Sequence, residues 1–181
     1  RGRGCPCAGA ARTGGSGQMG LSPRVLGFLV AAITLVIDQG HKIWMLDVFD
    51  IRARQPVALT PFLDLVMAWN PGISYSLLSA ETREGRLALL ALSLGATLFL
   101  SVWLWRAPRA ITTVGLGLIV GGALGNAYDR FAYGAVADFF HFHVGDFHWY
   151  IFNLADVAIV AGVGLLLYES FFMAEEKGVA A

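Results

Sequence analysis

Charged residues are scarce in this sequence of 181 residues: Asp, Glu, Lys and Arg together make up 14%, whereas a soluble domain carries about 25%. Hydrophobic residues make up 56%, and the mean hydropathy is +0.62. This composition is typical of a membrane protein rather than of a water-soluble one. The formal net charge is zero. The chain therefore lacks the basic field that attracts nucleic acid, and we expect no nucleic-acid partner.

Cysteine is almost absent, because the chain has only Cys5 and Cys7. A single residue separates them, which is poor geometry for a structural disulfide. Residues 1–18 are rich in Gly, Arg and Ala and hold little apolar surface to bury, so we expect this segment to be disordered. Met19 comes directly before the first apolar run. We interpret Met19 as the natural start, and residues 1–18 as a disordered tail or as upstream or appended sequence.

Long apolar runs are what the sequence has in abundance. They cover residues 25–46, 87–105, 110–128 and 151–172, and the two central runs contain no charged residue. A helix needs about 20 mostly apolar residues to cross the hydrocarbon core of a membrane. The sequence therefore predicts an all-α membrane protein with four transmembrane helices. These helices form one membrane domain over residues 19–174, followed by a short cytoplasmic tail over residues 175–181.

The turn between the second and third apolar runs is short and basic. It spans residues 106–109 and contains Arg106 and Arg109, so the positive-inside rule places it in the cytoplasm together with both chain termini. Two longer segments, about 47–80 and about 131–150, then face outward, and we expect Asp138 in the loop of the second. In the first of these, Val, Leu, Phe and Trp are interrupted by Pro56, Pro61 and Pro71. That pattern favours short strands joined by turns.

The unusual polar residues of the chain all fall at one depth, near the outer ends of the predicted helices. They are Asp38, Asn70, Asn126, Asp129, Arg130, Asp138, Asn153 and Asp156. Independent surface charges would be spread over both sides of the membrane, so this common depth indicates a polar site at the outer face. Gly117, Gly121 and Gly125 recur every four residues along the third run. This spacing lets a neighbouring helix approach closely.

Acidic side chains outnumber basic ones in this predicted site. Asp138 and Asp156 lie in the apolar contexts VADFF and FNLADVAIV, and only Lys42 and Arg130 are nearby cations for four acids in all. Two close carboxylates in a low-dielectric site share a proton rather than both ionising. The ionised carboxyl can then take a proton from water while the protonated one donates to a substrate carbonyl. This chemistry requires no Ser or Cys nucleophile.

Two other kinds of function compete with acid–base catalysis. The segment HFHVGDFH offers His141, His143, Asp146 and His148 as metal ligands, but HExxH is absent, and His residues in an interfacial aromatic segment are more often hydrogen-bonded surface groups. We therefore expect no metal and no cofactor. A transporter would need polar steps across the whole membrane, and we find none on the cytoplasmic half. A purely structural membrane protein would tolerate Asp→Asn changes.

Four sequence blocks, in this order, make the chain resemble the lipoprotein signal peptidases (signal peptidase II), which are membrane aspartyl peptidases of bacteria. The blocks are IDQGHK, WNPGISYSLL, GGALGNAYDRFAYGAVADF and FNLADVAI. The resemblance covers residues 23–172. The chain departs from the family pattern at Pro71, Ser74 and Tyr75, in a loop that faces the substrate.

The resemblance implies that Asp138 and Asp156 are the catalytic pair of an aspartic endopeptidase. It implies a prolipoprotein substrate, cleaved just before a lipobox Cys that carries diacylglycerol, and inhibition by the cyclic peptide globomycin. It also implies contact with membrane lipid, a monomer in the bacterial cytoplasmic membrane, and a small β-cradle on the outer side of the four helices. Further residues are expected to bind substrate or shape the site: Asp38, Lys42, Asn70, Gly72, Gly122, Asn126, Asp129, Arg130 and Asn153.

Within that site we expect Asp38 and Lys42 to pair and fix the first helix. We expect Asn126, Arg130 and Asn153 to orient the carboxyl groups or the scissile carbonyl. The sequence leaves open which carboxyl of the pair is the general acid and which is the general base.

Overall fold

The structure, a computed structural model, describes residues 21–72 and 83–172. The predictions for residues 1–18, for Met19 and for the tail 175–181 lie outside the described residues. So do residues 73–80 of the first outer segment, including Ser74 and Tyr75.

Within these described ranges, four long helices are apolar enough to cross a membrane. They are α1 (Pro23–Ile43), α3 (Arg83–Arg106), α4 (Ala110–Tyr133) and α5 (Leu154–Phe172), while α2 (Ile51–Arg54) is a single turn. A π-helical turn, Trp44–Val48, extends α1. Large apolar side chains such as Val36, Leu98 and Val160 are exposed along the long helices, as expected for surfaces that face lipid. The predicted four-helix membrane architecture is confirmed.

Two helix ends differ from the sequence-based expectation. Helix α4 continues past residue 128 to Tyr133, and it ends because Gly134 takes a left-handed conformation at φ 77°, where its N–H donates to the Arg130 carbonyl at 3.1 Å. Glycine adopts this conformation without a Cβ clash. Helix α5 starts at Leu154 rather than near residue 151, because Ile151 and Phe152 belong to a strand.

In the part of the chain that the structure describes, the strands form one antiparallel sheet in the order β1-β2-β3-β4. The strands are β1 (Val57–Thr60), β2 (Leu63–Asn70), β3 (Val136–Val144) and β4 (Phe147–Phe152). The short strands predicted within residues 47–80 are therefore present. Asp138, which we expected in a loop, lies on β3, where it is paired with Ala68 of β2. The hydrophobic and β-favouring residues around Asp138 are compatible with a strand as well as with an interfacial loop.

The sheet packs onto the C-terminal end of α1. Met45 of the π-helical turn, Ile51 of α2, Leu65 of β2 and Ala137 and Phe139 of β3 form one buried apolar cluster. Because β3 contributes Asp138 between two of these residues, packing of the sheet onto α1 fixes the height of that carboxyl above the helices.

Helix α4 lies at the centre of the bundle and packs against α1, α3 and α5. Its glycines make this packing close. A Cβ at Gly121 would lie 2.5 Å from the Ala31 carbonyl oxygen of α1, and a Cβ at Gly122 would lie 2.6 Å from the Ala155 carbonyl oxygen of α5. Small residues at this spacing are the usual means by which membrane helices approach each other.

A polar link joins α4 and α5 at the end of the bundle away from the sheet. Glu169 accepts a hydrogen bond from Thr112 Oγ1 at 2.6 Å and lies 3.2 Å from Nη1 of Arg109. The Glu169 side chain is mostly buried, so its charge is satisfied within the protein rather than by water.

Candidate active site

Asn153 connects the two carboxyl groups that the sequence singled out. Its side-chain Nδ2 donates to Asp138 Oδ1 at 2.6 Å, and its backbone N–H donates to Asp156 Oδ2 at 3.3 Å. The backbone N–H of Asp156 donates in return to Asn153 Oδ1 at 3.0 Å. This reciprocal pattern is a capping box at the N-terminus of α5. The start of one helix therefore brings Asp156 and, through Asn153, Asp138 into one hydrogen-bonded unit.

Asn126 of α4 orients Asp156 from the opposite side. Its Nδ2 donates to Asp156 Oδ1 at 2.9 Å, while its Oδ1 accepts from Asn153 Nδ2 and from Lys42 Nζ, each at 3.2 Å. Two donors on the amide oxygen leave only one consistent assignment of the amide, with its NH2 group facing Asp156. Lys42 and Asn153 thus determine which atoms Asn126 presents to the carboxylate.

Lys42 is buried and uses all three of its ammonium hydrogens. Besides Asn126, its Nζ lies 2.9 Å from Asp38 Oδ2 and 2.7 Å from Asp129 Oδ2. The predicted Asp38–Lys42 ion pair is present, and Asp129 joins it. The exposed fraction of the Asp38 and Asp129 side chains is 1% each. Buried charges persist only when they are paired and hydrogen-bonded, as they are here.

The two acids that flank Lys42 also hold the backbone beside the carboxyl pair. Asp38 Oδ1 accepts from the N–H of Ala155, directly before Asp156, at 3.0 Å. Asp129 Oδ2 accepts from the N–H of Ala137, directly before Asp138, at 3.2 Å. The Asp38–Lys42–Asp129 cluster therefore fixes the main chain one residue before each carboxyl of the pair.

Asp138 keeps its proton to a higher pH than an ordinary Asp side chain does. Burial raises the pKa of Asp138 to about 6, and the negative charge of Asp156 acts in the same direction. Side-chain hydrogen bonds from Asn70 and Asn153, together with the charge of Lys42, oppose this rise in pKa. Asn70 lies at the end of β2, and its Oδ1 accepts from the N–H of Gly72, which has a φ of 117°. Gly72 supports this tight turn because a positive φ strains other residues.

Comparison of the sequence with known proteins identifies the family of this chain. Residues 30–172 match the family described as Signal peptidase (SPase) II. The lipoprotein signal peptidase of Methylocella silvestris is 65% identical over 87% of this chain and 92% of the relative. The lipoprotein signal peptidase of Beijerinckia indica subsp. indica is 58% identical over 89% of this chain and 96% of the relative.

The chain belongs to the signal peptidase II family. It is accordingly a peptidase and a multi-pass membrane protein. Two solved structures of bacterial membrane enzymes, determined by the in meso method, share the fold of this family member. One, at 2.3 Å resolution, has a TM-score of 0.66 and 25% identity over 80% of this chain and 89% of its own. The other, at 1.9 Å, has a TM-score of 0.68 and 24% identity over 81% of this chain and 92% of its own.

Unlike Asn126 and Asn153, Arg130 makes no hydrogen bond to Asp138 or Asp156 among the described contacts. Its Nη1 donates to the main-chain oxygen of Asn126 at 3.2 Å, one turn earlier on α4. Its charge acts on Asp129, Asp138 and Asp156. Gly122, another predicted site residue, lies against Ala155 of α5. It brings α4 and α5 close enough for Asn126 to reach Asp156.

Sequence reasoning missed Gln39. Its Nε2 lies 3.1 Å from Asp38 Oδ2, 3.0 Å from Asp129 Oδ1 and 3.2 Å from the Gly125 carbonyl oxygen. It thus links the two acids a second time, and it shares Asp38 Oδ2 with Lys42. The sequence feature that could have indicated Gln39 is its position next to Asp38, as a second polar residue in an apolar helix.

The His residues of the β3–β4 hairpin form a group of their own. His141 and His148 stack with ring centroids 5.2 Å apart, and His143 Nε2 lies 3.0 Å from Asp64 Oδ2. Among the residues that the structure describes, no group of three or more His, Cys, Asp or Glu is arranged to hold a metal ion. None of the hydrogen bonds described above connects these His side chains to Asp138 or Asp156.

Proposed function

We propose that this protein is an aspartic endopeptidase that removes signal peptides from prolipoproteins. It cleaves just before the lipobox Cys that carries diacylglycerol. The observation that carries the proposal is the hydrogen-bonded unit of Asp138, Asn153 and Asp156, which pairs two carboxyl groups at one end of a membrane bundle. The names of the curated relatives support the prolipoprotein substrate.

In the proposed reaction Asp138 begins as the general acid and Asp156 as the general base. Asp156 is held by two donors, Asn126 Nδ2 and the Asn153 backbone N–H, which fix the orientation of its oxygens toward a water. Asp138, whose pKa is raised to about 6, holds a proton more readily than an exposed Asp. The two residues thus divide the roles that acid–base catalysis requires.

The first step is the attack of water on the scissile carbonyl carbon. Asp156 takes one proton from the water as the new C–O bond forms, and Asp138 donates its proton to the carbonyl oxygen. The product is a neutral gem-diol. Collapse of the gem-diol breaks the C–N bond. Asp156 then gives its proton to the departing amine, and Asp138 takes a proton back from a hydroxyl group. Both carboxyls return to their starting forms, and one water is consumed.

The proposed location is the bacterial cytoplasmic membrane, with both chain termini in the cytoplasm and the carboxyl pair near the outer face. Arg106 and Arg109 flank the short α3–α4 turn at the end of the bundle away from the carboxyls, and Arg24 lies at the same end of α1. Basic residues in short loops set the orientation of membrane proteins. In spheroplasts of a Cys5→Ser, Cys7→Ser background, we expect a membrane-impermeant maleimide to label Asp146→Cys but not Pro108→Cys. The reverse pattern would refute this orientation.

The central experiment measures cleavage of a lipobox peptide by the purified protein. The peptide carries a diacylglyceryl group on its Cys. Asp138→Asn and Asp156→Asn should each abolish cleavage, while Asp64→Asn, which changes an acid of the outer sheet, should leave it unchanged. Cleavage that persists in either variant of the pair would exclude the proposed mechanism.

Four further measurements test the remaining parts of the proposal. A peptide that lacks the diacylglyceryl group should be cleaved much more slowly if the lipid is part of the recognised substrate. Activity should survive EDTA, since the mechanism uses no metal, and globomycin should inhibit. Size-exclusion chromatography with light scattering should give the mass of a monomer, and a stable dimer would contradict that part.

A further inference from the structure

Two adjoining cavities form a groove between α3 and α4 on the lipid-facing side of the bundle. The larger, about 540 Å³, is lined mostly by apolar side chains of α1, α3 and α4, with Leu35 and Leu94 on its walls. The smaller, about 500 Å³, lies toward the outer ends of α3 and α4 and contains Arg86 and Arg130. Leu90, Phe131 and Tyr133 line both cavities. We call the two together the α3 groove.

Arg86 brings an uncompensated positive charge to the outer end of the α3 groove. Its guanidinium lies against Gly134, where a Cβ would be 2.6 Å from Nη1, at the C-terminus of α4. The partial negative charge of that helix end holds the guanidinium in place. Within residues 21–72 and 83–172, Arg86 has no acidic partner. Its remaining N–H groups are therefore available to an anion.

Arg130 adds a second donor at the same end of the groove. Its Nε is buried and has no hydrogen-bond acceptor among the described residues, although its Nη1 is bonded to the main chain. A buried guanidinium N–H without an acceptor is costly, since each N–H normally finds one. A ligand oxygen between Arg86 and Arg130 would satisfy both groups.

The surroundings of the α3 groove indicate what this ligand is. Phe131, on the wall of both cavities, is 77% exposed, and Leu94 is 47% exposed, so the groove opens onto the hydrocarbon of the membrane. Its basic end lies at the level of the outer interface, where α3 begins and α4 ends. A long apolar channel that ends in cations at this interface matches an acyl chain attached to a negatively charged headgroup.

We propose that the α3 groove binds an anionic glycerophospholipid of the outer leaflet. Arg86 and Arg130 hold its phosphate, and one acyl chain lies along Leu90 and Leu94. None of the residues that line the two cavities comes from β3 or α5, which carry Asp138 and Asp156. The lipid site therefore does not include Asp138 or Asp156, although it shares Gln39 and Arg130 with the polar cluster around them, and the proposal goes beyond the peptidase reaction.

The test measures lipid binding to the full-length protein, and activity plays no part in it. Native mass spectrometry in a neutral detergent would be used to titrate phosphatidylglycerol or phosphatidylcholine with identical chains. We expect tighter binding of phosphatidylglycerol. Arg86→Gln should weaken binding of phosphatidylglycerol by about fivefold, as expected for loss of one interfacial cation, and leave phosphatidylcholine unchanged. Arg106→Gln, at the opposite end of α3, is the matched control and should change neither.

Three further measurements complete the test. Leu94→Trp should weaken both lipids because it fills the apolar part of the groove. Arg86→Lys should bind phosphatidylglycerol to within about twofold of the original protein, because it retains the charge at the interface, and this variant also serves if Arg86→Gln is poorly folded. Glycerol 3-phosphate should not compete, because it lacks the chain that fills the groove.

Several results would overturn the proposal. Equal affinity for the two lipids, or equal losses in Arg86→Gln and Arg106→Gln, would show that no anion site exists at Arg86. Effective competition by free glycerol 3-phosphate would point to a phosphate site rather than a lipid site. Competition by a neutral diacylglyceryl-cysteine peptide that is insensitive to Arg86→Gln would assign the groove to the substrate chains instead.

Discussion

Asp38 and Asp129 both contact the Lys42 ammonium, and each accepts a hydrogen bond from the backbone N–H one residue before a carboxyl of the pair. Asp38 holds Ala155 of α5, and Asp129 holds Ala137 of β3. A helix and a strand that are distant in sequence are therefore fixed to one buried cation. The relative position of Asp138 and Asp156 depends on this cation as well as on their own hydrogen bonds.

Removal of the cation should destabilise the protein strongly. Lys42→Met would leave Asp38 and Asp129 buried without their common partner, and loss of one member of a buried ion pair typically costs about 3–5 kcal/mol. We expect a corresponding loss in the free energy of unfolding, measured by denaturation in mixed micelles. Adding Asp38→Asn and Asp129→Asn to Lys42→Met should restore much of the loss. A single variant as stable as the original protein would contradict this account.

Variants of Asn153 should separate stability from catalysis. Asn153→Ala loses the cap of α5, which should lower the free energy of unfolding by about 1 kcal/mol, and it also loses the bond to Asp138. Asn153→Ser keeps a capping oxygen but has no amide to donate to Asp138. We expect Asn153→Ser to recover thermal stability yet to remain as low in kcat as Asn153→Ala. Recovery of both would mean that Asn153 acts only as a helix cap.

The pH dependence of cleavage should follow Asp138. Because its pKa is raised to about 6, Asp138 is protonated below that pH and loses its proton above it. The general acid is then missing, so kcat/KM should fall as the pH rises through about 6. Asn70→Ala removes a hydrogen bond that favours the ionised form, so the pKa of Asp138 should rise and this fall should move to higher pH. A shift to lower pH, or none, would argue against Asp138 as the acid.

Glycine substitutions at the α4–α5 interface and on the exposed face of α5 should differ sharply. A Cβ at Gly122 would lie 2.6 Å from the Ala155 carbonyl oxygen, whereas a Cβ at Gly164 meets nothing within 4 Å. Gly122→Ala should cost about 1–3 kcal/mol in unfolding free energy and lower activity, because it moves Asn126 away from Asp156. Gly164→Ala should be neutral or slightly stabilising, since Ala favours helix. Thermal unfolding and peptide cleavage of both variants would check this, and equal effects would rule it out.

Much of the architecture could be read from the sequence because membrane helices have a simple signal. Runs without charge, such as 87–105 and 110–128, have few alternatives to a spanning helix. Proline spacing in residues 47–72 was sufficient to predict strands. The common depth of the polar residues also indicated one site, and the structure brings Lys42, Asn126, Asn153 and the four acids into one hydrogen-bonded cluster.

The remaining features depend on contacts that no local pattern contains. Asp138 was expected in a loop, but its strand is defined by pairing with β2, about 70 residues earlier in the chain. The bond from Gln39 to Asp129 depends on the rotation of α1 against α4, which the glycines of α4 determine. Hydrophobic periodicity predicts which residues face lipid, and it does not predict which polar atoms meet across two packed helices.

The buried link between Glu169, Thr112 and Arg109 has a mechanical consequence for the opposite end of the molecule. It fastens α5 to α4 at one end, and the bond from Asn126 to Asp156 fastens them at the other. Two fixed points prevent α5 from sliding or pivoting along α4, so these two helices move as one rigid unit. Helix α3 contacts the bundle mainly through α4. Widening of the bundle to admit a substrate segment is therefore easiest at α3, and the spacing of the carboxyls can stay constant during that movement.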